Sequence, residues 1–348
     1  MNSNDLVTIP LVDLRGRTPS DLLRDRSEVA HALIEAASNT HGFVSRFGAK
    51  LLLPFADKVS RSWLERTNNP YLAEIDAMAK VLQTPGTYAL NLSYEWGCTS
   101  GAFNRDGSVT LLRVLDWPFP DLGKHVMVIR QESEAGEFYN VGWPGLSGML
   151  NGMAPGRFAA TLNQAPMRRH GWLMPIDWAL NRRLVENASG LPPSHLLRKI
   201  FEEARNYEEA KKMAMDTPVA LPVIFILSGL KPGEGCVIER TENSAAAFDL
   251  GTSERVTAAN HFTSPLVAIG KGWRPRTEDS PERLLKSCSI DGSSLAHNDF
   301  SWLEKPIIND LSRLIVVSDA SVGRLIVQGI DGDMPVSKVF QLTQVGNG

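Results

Sequence analysis

The segment that decides the fold is YEWGCTSGAFNRDGSVTLLRVLDWPF, residues 94–119. It contains a glycine followed by a cysteine, Gly97 and Cys98, and an R-x-x-D pattern made by Arg113 and Asp116. The pattern lies on a run with the two-residue hydrophobic period of a β-strand. Residues three apart on a strand point to opposite faces, so Arg113 and Asp116 need a bend or bulge to reach one site.

The charged pair also has a purely structural interpretation. Charges inside the apolar run LLRVLDW cost free energy unless they are paired and hydrogen-bonded. A salt bridge between Arg113 and Asp116 at the end of a sheet would meet that requirement without any catalytic role.

Cys98 raises the question of what base could activate it. A cysteine nucleophile needs a nearby base, or surroundings that lower its pKa, to form a thiolate. The histidines are scattered and none has the context of a cysteine protease. Cleavage of the Gly97–Cys98 bond would supply a base, because the new α-amine titrates near about pH 8 and lies beside the thiol. Gly97 suits such a bond, since a residue without Cβ tolerates strained geometry.

The composition is that of an ordinary folded protein, with 348 residues, 43% hydrophobic and 22% charged. A formal net charge of −3 argues against nucleic acid as a partner. The three cysteines form no CxxC pair, so we expect a reducing compartment, with Cys236 and Cys288 in the core. The start has no signal pattern and no apolar run approaches about 18 residues, so we expect a cytoplasmic protein without a membrane-spanning segment.

The periodicity changes once along the chain, at Pro85-Gly86. Before it the pattern is helical, with Ser20 as a helix cap and Pro54 as a break or kink. After it, the two-residue period predicts strands at TYALNLSYEW, SVTLLRVLDW, HVMVIRQE, GEFYNVGW, RFAATLNQ, ALPVIFILSG, GCVIERTE, AAAFDLG, SERVTAANHF, SRLIVVSD and GRLIVQGID. Helices are predicted at MPIDWALNRRLVENA, PPSHLLRKIFEEA, NYEEAKKMAMD and SPERLLKSC, the last with Ser280 as cap and Pro281 first in the helix.

These elements predict the fold class. Strands grouped on both sides of a central helical block indicate two sheets covered by helices, an α+β layered domain. The sequence has no GxxxxGK[ST] loop, no GxGxxG after a strand, no HExxH, no GxSxG and no histidine pair at metal-ligand spacing. We therefore expect no cofactor and no metal.

Taken together, GCTS and RVLDW resemble the N-terminal-nucleophile amide hydrolases of the choloylglycine hydrolase, acid ceramidase and N-acylethanolamine acid amidase family. The related acyl-coenzyme A:isopenicillin N acyltransferase group shares the pattern. GMLNGMAPGRFAATLNQ and VTAANHF also resemble family segments, so the similarity covers most of residues 87–285. It implies a four-layer αββα sandwich of two antiparallel sheets. It also implies a helical N-terminal segment, residues 1–97, that stays docked after self-cleavage, and a catalytic domain, residues 98–348.

The resemblance implies a role for each motif residue. Cys98 is expected to be the nucleophile and, through its α-amine, the base. Asp116 is expected to hold that amine, and Arg113 to lie beside the thiolate and orient it. Asn260 is expected to donate its side-chain amide to the oxyanion of the tetrahedral intermediate.

Three apolar residues are the expected substrate contacts. Trp117, at a position usually aromatic in the family, is expected to line the acyl pocket. Trp143 and Met149 come from a Trp- and Met-rich stretch that would suit an apolar acyl group.

Other polar residues leave alternatives open. Asn163 would be a second oxyanion contact, a residue that orients Asn260, or simply a turn residue. The family has a further arginine after the asparagine, for which Arg274, Arg276 and Arg283 compete. We favour Arg276, because Arg283 lies on a capped helix where it would be a surface charge.

The resemblance predicts hydrolysis of a linear amide in a small N-acyl amide, with a thioester on Cys98 as intermediate. Transfer of the acyl group to an amine is the first alternative. An uncleaved, inactive relative that acts as a binding protein is the second. The acyl group, the amine and the oligomeric state, including a homo-oligomer, stay open.

Overall fold

The computed structural model describes residues 6–39, 46–92, 97–105, 107–171, 173–265, 272–274 and 277–343. The α-helices in these ranges are α1 (Pro19–Asn39), α2 (Arg46–Arg66), α3 (Leu72–Leu82), α4 (Thr87–Asn91), α5 (Met174–Asn187), α6 (Pro193–Glu203), α7 (Tyr207–Asp216) and α8 (Ser280–Ser287). The strands are β1 (Leu11–Asp13), β2 (Gly97–Arg105), β3 (Ser108–Asp116), β4 (Met127–Ser133), β5 (Gly136–Gly142), β6 (Asn151–Ala154), β7 (Phe158–Gln164), β8 (Met167–Arg168), β9 (Val223–Ser228), β10 (Gly235–Arg240), β11 (Ala245–Asp249), β12 (Arg255–Ala258), β13 (Trp273–Arg274), β14 (Ser312–Asp319), β15 (Arg324–Asp331), β16 (Met334–Pro335) and β17 (Phe340–Thr343).

Two large sheets organise these strands. Sheet A has the order β1-β4-β5-β6-β7-β9-β10-β11, and sheet B the order β12-β2-β3-β14-β15-β16, with β17 also paired to β15. Within the described chain, β1 and β4 run parallel and the other pairings in the two sheets are antiparallel. A separate two-stranded ribbon joins β8 to β13.

The sheets and helices form four layers. Strands β2 and β3 of sheet B face β7, β9 and β10 of sheet A, while α6 and α7 cover the outer face of sheet A. Helix α8 and a short 3₁₀ helix, Gly292–Ala296, cover β2 on the outer face of sheet B. The predicted α+β class and four-layer sandwich are confirmed.

Strand β3 supplies apolar side chains to two cores. Leu111 and Leu115 belong to the cluster between the sheets, whereas Leu112 and Val114 belong to the cluster outside sheet B. Each is at most 1% exposed, and burying such a side chain contributes about 1.5–3 kcal/mol. Burial on both faces explains why this strand is an almost continuous apolar run.

The strand predicted from TYALNLSYEW is wrong over residues 87–91, which form α4. The cause is a contact from a distant helix. Asp57 on α2 accepts hydrogen bonds from the backbone N–H groups of Gly86 and Ala89, at 2.6 and 2.9 Å, and so caps the first turn of α4. Gly86 has φ +116°, which a residue with a side chain rarely adopts.

Two details of the N-terminal helices also differ from expectation. The cap of α1 is Thr18 rather than Ser20: the backbone N–H and hydroxyl of Thr18 donate to the Asp21 carboxylate at 2.9 and 2.8 Å. Helix α2 continues through Pro54, and the irregular residue is instead Arg26 in α1, with φ −135° and ψ 26°.

The N-terminal helices are attached to the layered domain in several ways. Strand β1, too short to give a periodic signal, extends sheet A, with Leu11 opposite Val128. The Trp63 indole donates to the backbone carbonyl of Val185 at 2.9 Å. Within the described ranges, no helix has the length and apolarity needed to cross a bilayer.

A buried ion pair fastens α3 to α6. The Arg198 guanidinium, 8% exposed as a residue, donates to both carboxylate oxygens of Glu74 at 2.6 and 2.9 Å. It also binds Glu202 at 2.8 Å and lies over the Tyr71 ring, 4.3 Å from its centroid. The pair therefore connects the N-terminal helices to the sandwich through charged side chains that are largely excluded from solvent.

Replacing Arg198 by alanine is expected to lower the free energy of unfolding by about 3 kcal/mol, because it leaves the Glu74 carboxylate without its buried partner. Chemical denaturation of the purified variant measures the change. Lys212→Ala removes the exposed Lys212–Asp216 pair of α7 and is the control, with no measurable loss expected. Equal stability of the two variants would contradict this account.

Candidate active site

The pairing of β2 with β3 brings Cys98 and Arg113 together. Cys98 lies opposite Leu115 and Ser100 opposite Arg113, so all four side chains are on the sheet face that meets sheet A. The Arg113 guanidinium donates to Cys98 Sγ at 2.9 Å. Both residues are 0% exposed, so the thiol and its cation are sealed between the sheets.

The Arg113 guanidinium is held by a residue on β7 of sheet A and by a residue in the loop before β6. Its Nη1 donates to Thr161 Oγ1 at 2.5 Å and to the Leu150 carbonyl oxygen. Burial raises the pKa of the Cys98 thiol, while the positive charge of Arg113 acts in the opposite direction. A thiolate on Cys98 therefore depends on Arg113 for its stability.

Asp116 lies on the other face of β3, beside the backbone of Gly97, which is its partner in the strand pairing. It accepts hydrogen bonds from Ser312 Oγ at 2.6 Å and from Asn309 Nδ2 at 3.0 Å. Burial raises the pKa of Asp116, and the nearby Arg283 guanidinium, at 3.8 Å, opposes that rise. The bend expected in β3 is absent, because its register with β2 runs without a shift through Asp116; a bulge lies instead on β14, between Ser312 and Leu314.

Asn260 contacts the backbone of Cys98 directly. Its Oδ1 accepts from the Cys98 N–H and from the Arg283 guanidinium, both at 2.8 Å. Both partners can only donate, which fixes the orientation of the amide. The Nδ2 group donates to the Gln164 carbonyl at 2.8 Å, so the intact chain uses Asn260 as an acceptor at Cys98. Its expected donation to an oxyanion stays a prediction.

Asn163 connects β2, on which Cys98 lies, to the two residues that precede Asn260. Its Oδ1 accepts from Ser100 Oγ at 2.7 Å, and its Nδ2 donates to the carbonyls of Ala258 and Ala259, at 3.1 Å each. Both amide hydrogens are therefore engaged by backbone oxygens. This arrangement favours the alternative in which Asn163 orients Asn260 over a second oxyanion contact.

Arg283, expected as a surface charge, is 0% exposed and lies in the site. Its Nη1 donates to the Cys98 carbonyl at 2.5 Å and to Thr99 Oγ1 at 3.0 Å. The surface assignment is therefore wrong. Arg274 instead pairs with Asp177 at 3.0 Å, and Arg276, the favoured candidate, lies outside the described residues.

Helix α8 buries a polar face, which is why the hydropathy pattern did not predict that Arg283 is buried. Ser280, Arg283 and Ser287, at helical spacing, are 0% exposed, whereas Leu285 is 75% exposed. Ser280 is the first helical residue rather than the cap, and its Oγ accepts from the Asn260 backbone N–H at 2.8 Å. The sequence feature that could have indicated this burial is the pair of serines three residues before and four residues after Arg283. Their small side chains leave room for a guanidinium group.

A small apolar pocket, partly open to solvent, lies at the end of β3. Its lining residues are Trp117, Phe119, Leu122 and Trp143 on one side and Leu33, Leu90 and Leu146 on the other. Trp117 stacks on Phe119 and meets Trp143 edge-on, with ring centroids 4.8 and 5.8 Å apart. Trp117 lies two residues after Leu115, the strand partner of Cys98, and the contacts of Trp117 and Trp143 with substrate stay predictions. Met149 does not line this pocket and is fully buried in the apolar cluster between the sheets.

The remaining residues singled out by sequence have mixed outcomes. Cys236 is buried, but Cys288 is exposed, since it follows the last residue of α8, so the core expectation is wrong for Cys288. His261 Nδ1 lies 2.8 Å from Ser280 Oγ on α8. Among the described residues, no group of three or more His, Cys, Asp or Glu side chains is arranged to hold a metal ion.

The chain resembles proteins of one kind in sequence. No known family profile matches it. It is 29% identical over 297 residues to acid ceramidase of Heterocephalus glaber, covering 78% of this chain and 72% of that protein. It is 38% identical over 96 residues to acid ceramidase of Homo sapiens, covering 28% of this chain and 23% of that protein.

Solved structures with a similar arrangement have lower sequence identity. The Caenorhabditis elegans N-acylethanolamine-hydrolyzing acid amidase ortholog has a TM-score of 0.47 and 18% identity, over 70% of this chain and 99% of that one. Penicillin V acylase from Agrobacterium tumefaciens has a TM-score of 0.40 and 13% identity, over 71% of this chain and 86% of that one. The chain is therefore similar in sequence to the acid ceramidases, and its own four layers are the αββα sandwich predicted from the resemblance to the N-terminal-nucleophile hydrolases.

Proposed function

We propose that this chain is a cysteine amidase that hydrolyses a linear N-acyl amide through a thioester on Cys98. The observation that carries the proposal is the environment of that residue. Cys98 Sγ accepts from Arg113 at 2.9 Å and its backbone N–H donates to Asn260 at 2.8 Å. One residue thus has a cation at its thiol and an acceptor at the nitrogen that peptide cleavage would free. The relatives support the reaction class, since ceramide is an N-acyl amide.

The first step of the proposal is self-cleavage between Gly97 and Cys98. The sulfur of Cys98 attacks the carbonyl carbon of Gly97, the peptide C–N bond breaks, and the Cys98 nitrogen takes the proton lost by the thiol. Water then hydrolyses the thioester, which releases a carboxylate on Gly97 and the free thiol of Cys98. The full burial of Cys98 supports this order, because a substrate from solvent has no access to the thiol in the intact chain.

The freed α-amine of Cys98 is the proposed general base. An α-amine titrates near about pH 8, so it can take the thiol proton at neutral pH and pass it to the departing amine. The thiolate attacks the acyl carbon, the substrate C–N bond breaks, and the acyl group stays on sulfur. Water, deprotonated by the same amine, then releases the carboxylic acid and restores the thiol.

Asp116 is proposed to hold that amine. A Cβ on residue 97 would lie 3.2 Å from both Cβ and Oδ2 of Asp116, so the carboxylate borders the bond to be cut. Glycine at this position keeps that close approach free of steric conflict. The contacts from Ser312 and Asn309 favour the ionised carboxylate that a cationic amine requires.

Asn260 is proposed to donate to the oxyanion once the chain is cut. In the intact chain its Oδ1 is engaged by the Cys98 N–H and by Arg283. Conversion of the Cys98 amide to a mobile amine removes one of those two contacts, which lets Nδ2 exchange the Gln164 carbonyl for the oxyanion while Oδ1 stays on Arg283. One such donor typically contributes about 3 kcal/mol to the transition state.

Arg283 is proposed as a positioning residue for this step. It binds the Cys98 carbonyl, Asn260 Oδ1 and, at 3.8 Å, Asp116. It therefore holds in place the backbone of Cys98, the Asn260 amide proposed to bind the oxyanion and the Asp116 carboxylate proposed to bind the amine. Its positive charge also favours the ionised form of Asp116.

The apolar pocket supports a hydrophobic acyl group. Trp117, two residues after the strand partner of Cys98, forms part of its wall, so an acyl group at this pocket would have its carbonyl end near Cys98. The proposal takes from the relatives the type of bond that is cut, and it leaves the amine open.

Purified chain incubated with straight-chain acyl 4-nitroanilides is expected to release 4-nitroaniline, read by absorbance. An acid-quenched sample is expected to carry the acyl mass on the peptide that contains Cys98, because the thioester is the intermediate. Cys98→Ala is expected to show neither signal. Joining of the acyl group to an added amine would instead indicate acyl transfer, and a chain that binds these amides without turnover would contradict the hydrolase proposal.

Arg283→Met is expected to slow turnover by about 100-fold through kcat, with KM little changed, because several hydrogen bonds that align Cys98 and Asn260 are lost. Loss of its charge lets the pKa of Asp116 rise further, so the acid limb of the pH–rate profile is expected to move to higher pH. Arg182→Met, at a half-exposed arginine of α5, is the matched control. An unshifted profile in Arg283→Met would contradict the positioning role.

A further inference from the structure

Glu239, near the end of β10, is a buried carboxylate that has no role in the mechanism proposed above. It is 2% exposed. The guanidinium of the next residue, Arg240, donates to the Ala214 carbonyl on α7 at 2.6 Å, so Arg240 points to the outer face of sheet A. Because successive side chains of a strand alternate between faces, Glu239 points to the inner face, which meets the Cys98 face of sheet B. A carboxylate buried there costs free energy unless hydrogen bonds compensate for the lost water.

The hydrogen bonds to Glu239 come from residues 260–264, which we call the asparagine loop because it begins with Asn260. The backbone N–H and the hydroxyl of Thr263 donate to Glu239 Oε1 at 2.6 and 2.8 Å, and the Ser264 N–H donates to Oε2 at 2.9 Å. A carboxylate only accepts, so it suits three donors. A glutamine amide would instead set its own N–H group against one of them.

The other end of the asparagine loop is held by α8. The Asn260 N–H donates to Ser280 Oγ, and Asn260 Oδ1 accepts from Arg283, both at 2.8 Å. Strand β12 ends at Ala258, so its pairing with β2 stops before the loop begins. The position of the loop therefore depends on side chains of α8 at one end and of β10 at the other.

We infer that Glu239 is a positioning residue for Asn260. By holding the far end of the asparagine loop, it keeps the backbone of Asn260 in place while the side chain exchanges the Gln164 carbonyl for the oxyanion. This inference rests on the proposed function, in which Asn260 is the oxyanion donor. Such a donor stabilises the transition state most when its position is fixed before the reaction begins.

Glu239→Gln is expected to lower kcat for acyl 4-nitroanilides by about tenfold with KM little changed, because the hydrogen bond to Ser264 is lost and the donor is held less firmly. Alkylation of Cys98 by iodoacetamide is the second readout, followed by the mass of the peptide that contains Cys98. In this reaction the sulfur displaces iodide from a saturated carbon and no oxyanion forms. Its rate is therefore expected to stay at the wild-type value, whereas a general disturbance of the site would slow both reactions.

Thr263 provides a second test that leaves the buried carboxylate in place. Its side chain is exposed, so substitutions there leave the core intact. Thr263→Val removes the hydroxyl that donates to Glu239 and is expected to lower kcat by about threefold. Thr263→Ser keeps that hydroxyl and is expected to have the wild-type kcat. This pair of variants decides the question even where Glu239→Gln fails to fold.

Glu234 provides the matched control. It too accepts hydrogen bonds from backbone N–H groups of a neighbouring loop, those of Leu230 and Lys231, at 2.9 and 3.1 Å. It lies five residues before Glu239, which corresponds to about 16 Å along an extended strand. Glu234→Gln is expected to keep the wild-type rates of both hydrolysis and alkylation.

The outcomes separate this inference from the proposed function. A wild-type kcat in both Glu239→Gln and Thr263→Val would overturn the inference and leave the hydrolase proposal in place. Equal slowing of hydrolysis and alkylation in Glu239→Gln would also overturn it, because the effect would then not be specific to the oxyanion. Absence of amide hydrolysis by the wild type would overturn the hydrolase proposal and this inference together.

Discussion

The antiparallel pairing of β2 with β3 is the constraint on which the site depends. It sets Cys98 opposite Leu115 and Gly97 opposite Asp116, so a cation reaches the thiol from one face of the sheet and a carboxylate borders the preceding peptide from the other. A shift of one residue would exchange the two faces and separate the thiol from Arg113. The cores on both sides of β3 hold that register, because a shift would place side chains that fit one core into the other.

Charges sealed between the sheets and helices are stabilised by one another and by hydrogen bonds. Arg113, Asp116 and Arg283 are at most 2% exposed, and each has several polar partners. Unpaired, any of them would be costly to bury. The same packing leaves the thiol without solvent access in the intact chain. In our account, cutting the peptide before Cys98 therefore both creates the base and opens the site.

Much of this was accessible from sequence because it is local. The two-residue period across residues 108–116 predicts β3, and the spacing of Cys98, Arg113 and Asp116 identifies the motif. The wrong predictions concern elements whose structure depends on contacts with residues distant in sequence. Asp57 turns residues 87–91 into a helix, which no local pattern shows. Hydropathy favours burying Leu285, whereas the polar site draws the opposite face of α8 inward.

The orientation of Asn260 illustrates a third kind of limit. Its presence near the nucleophile follows from the resemblance of VTAANHF to a family segment. Which atom of its amide meets Cys98 depends on the donors around it, the Cys98 N–H and the Arg283 guanidinium. Those partners are separated from it by 162 and 23 residues in sequence, so only the folded chain reveals the choice.

Intact mass with N-terminal sequencing, wild type beside Cys98→Ala, tests the central claim most directly. The account predicts two fragments in the wild type, one beginning Cys-Thr-Ser-Gly, and a single 38.2 kDa chain in the variant. An intact wild-type chain that nevertheless hydrolyses amides would contradict it, because the α-amine of Cys98 would then not be the base.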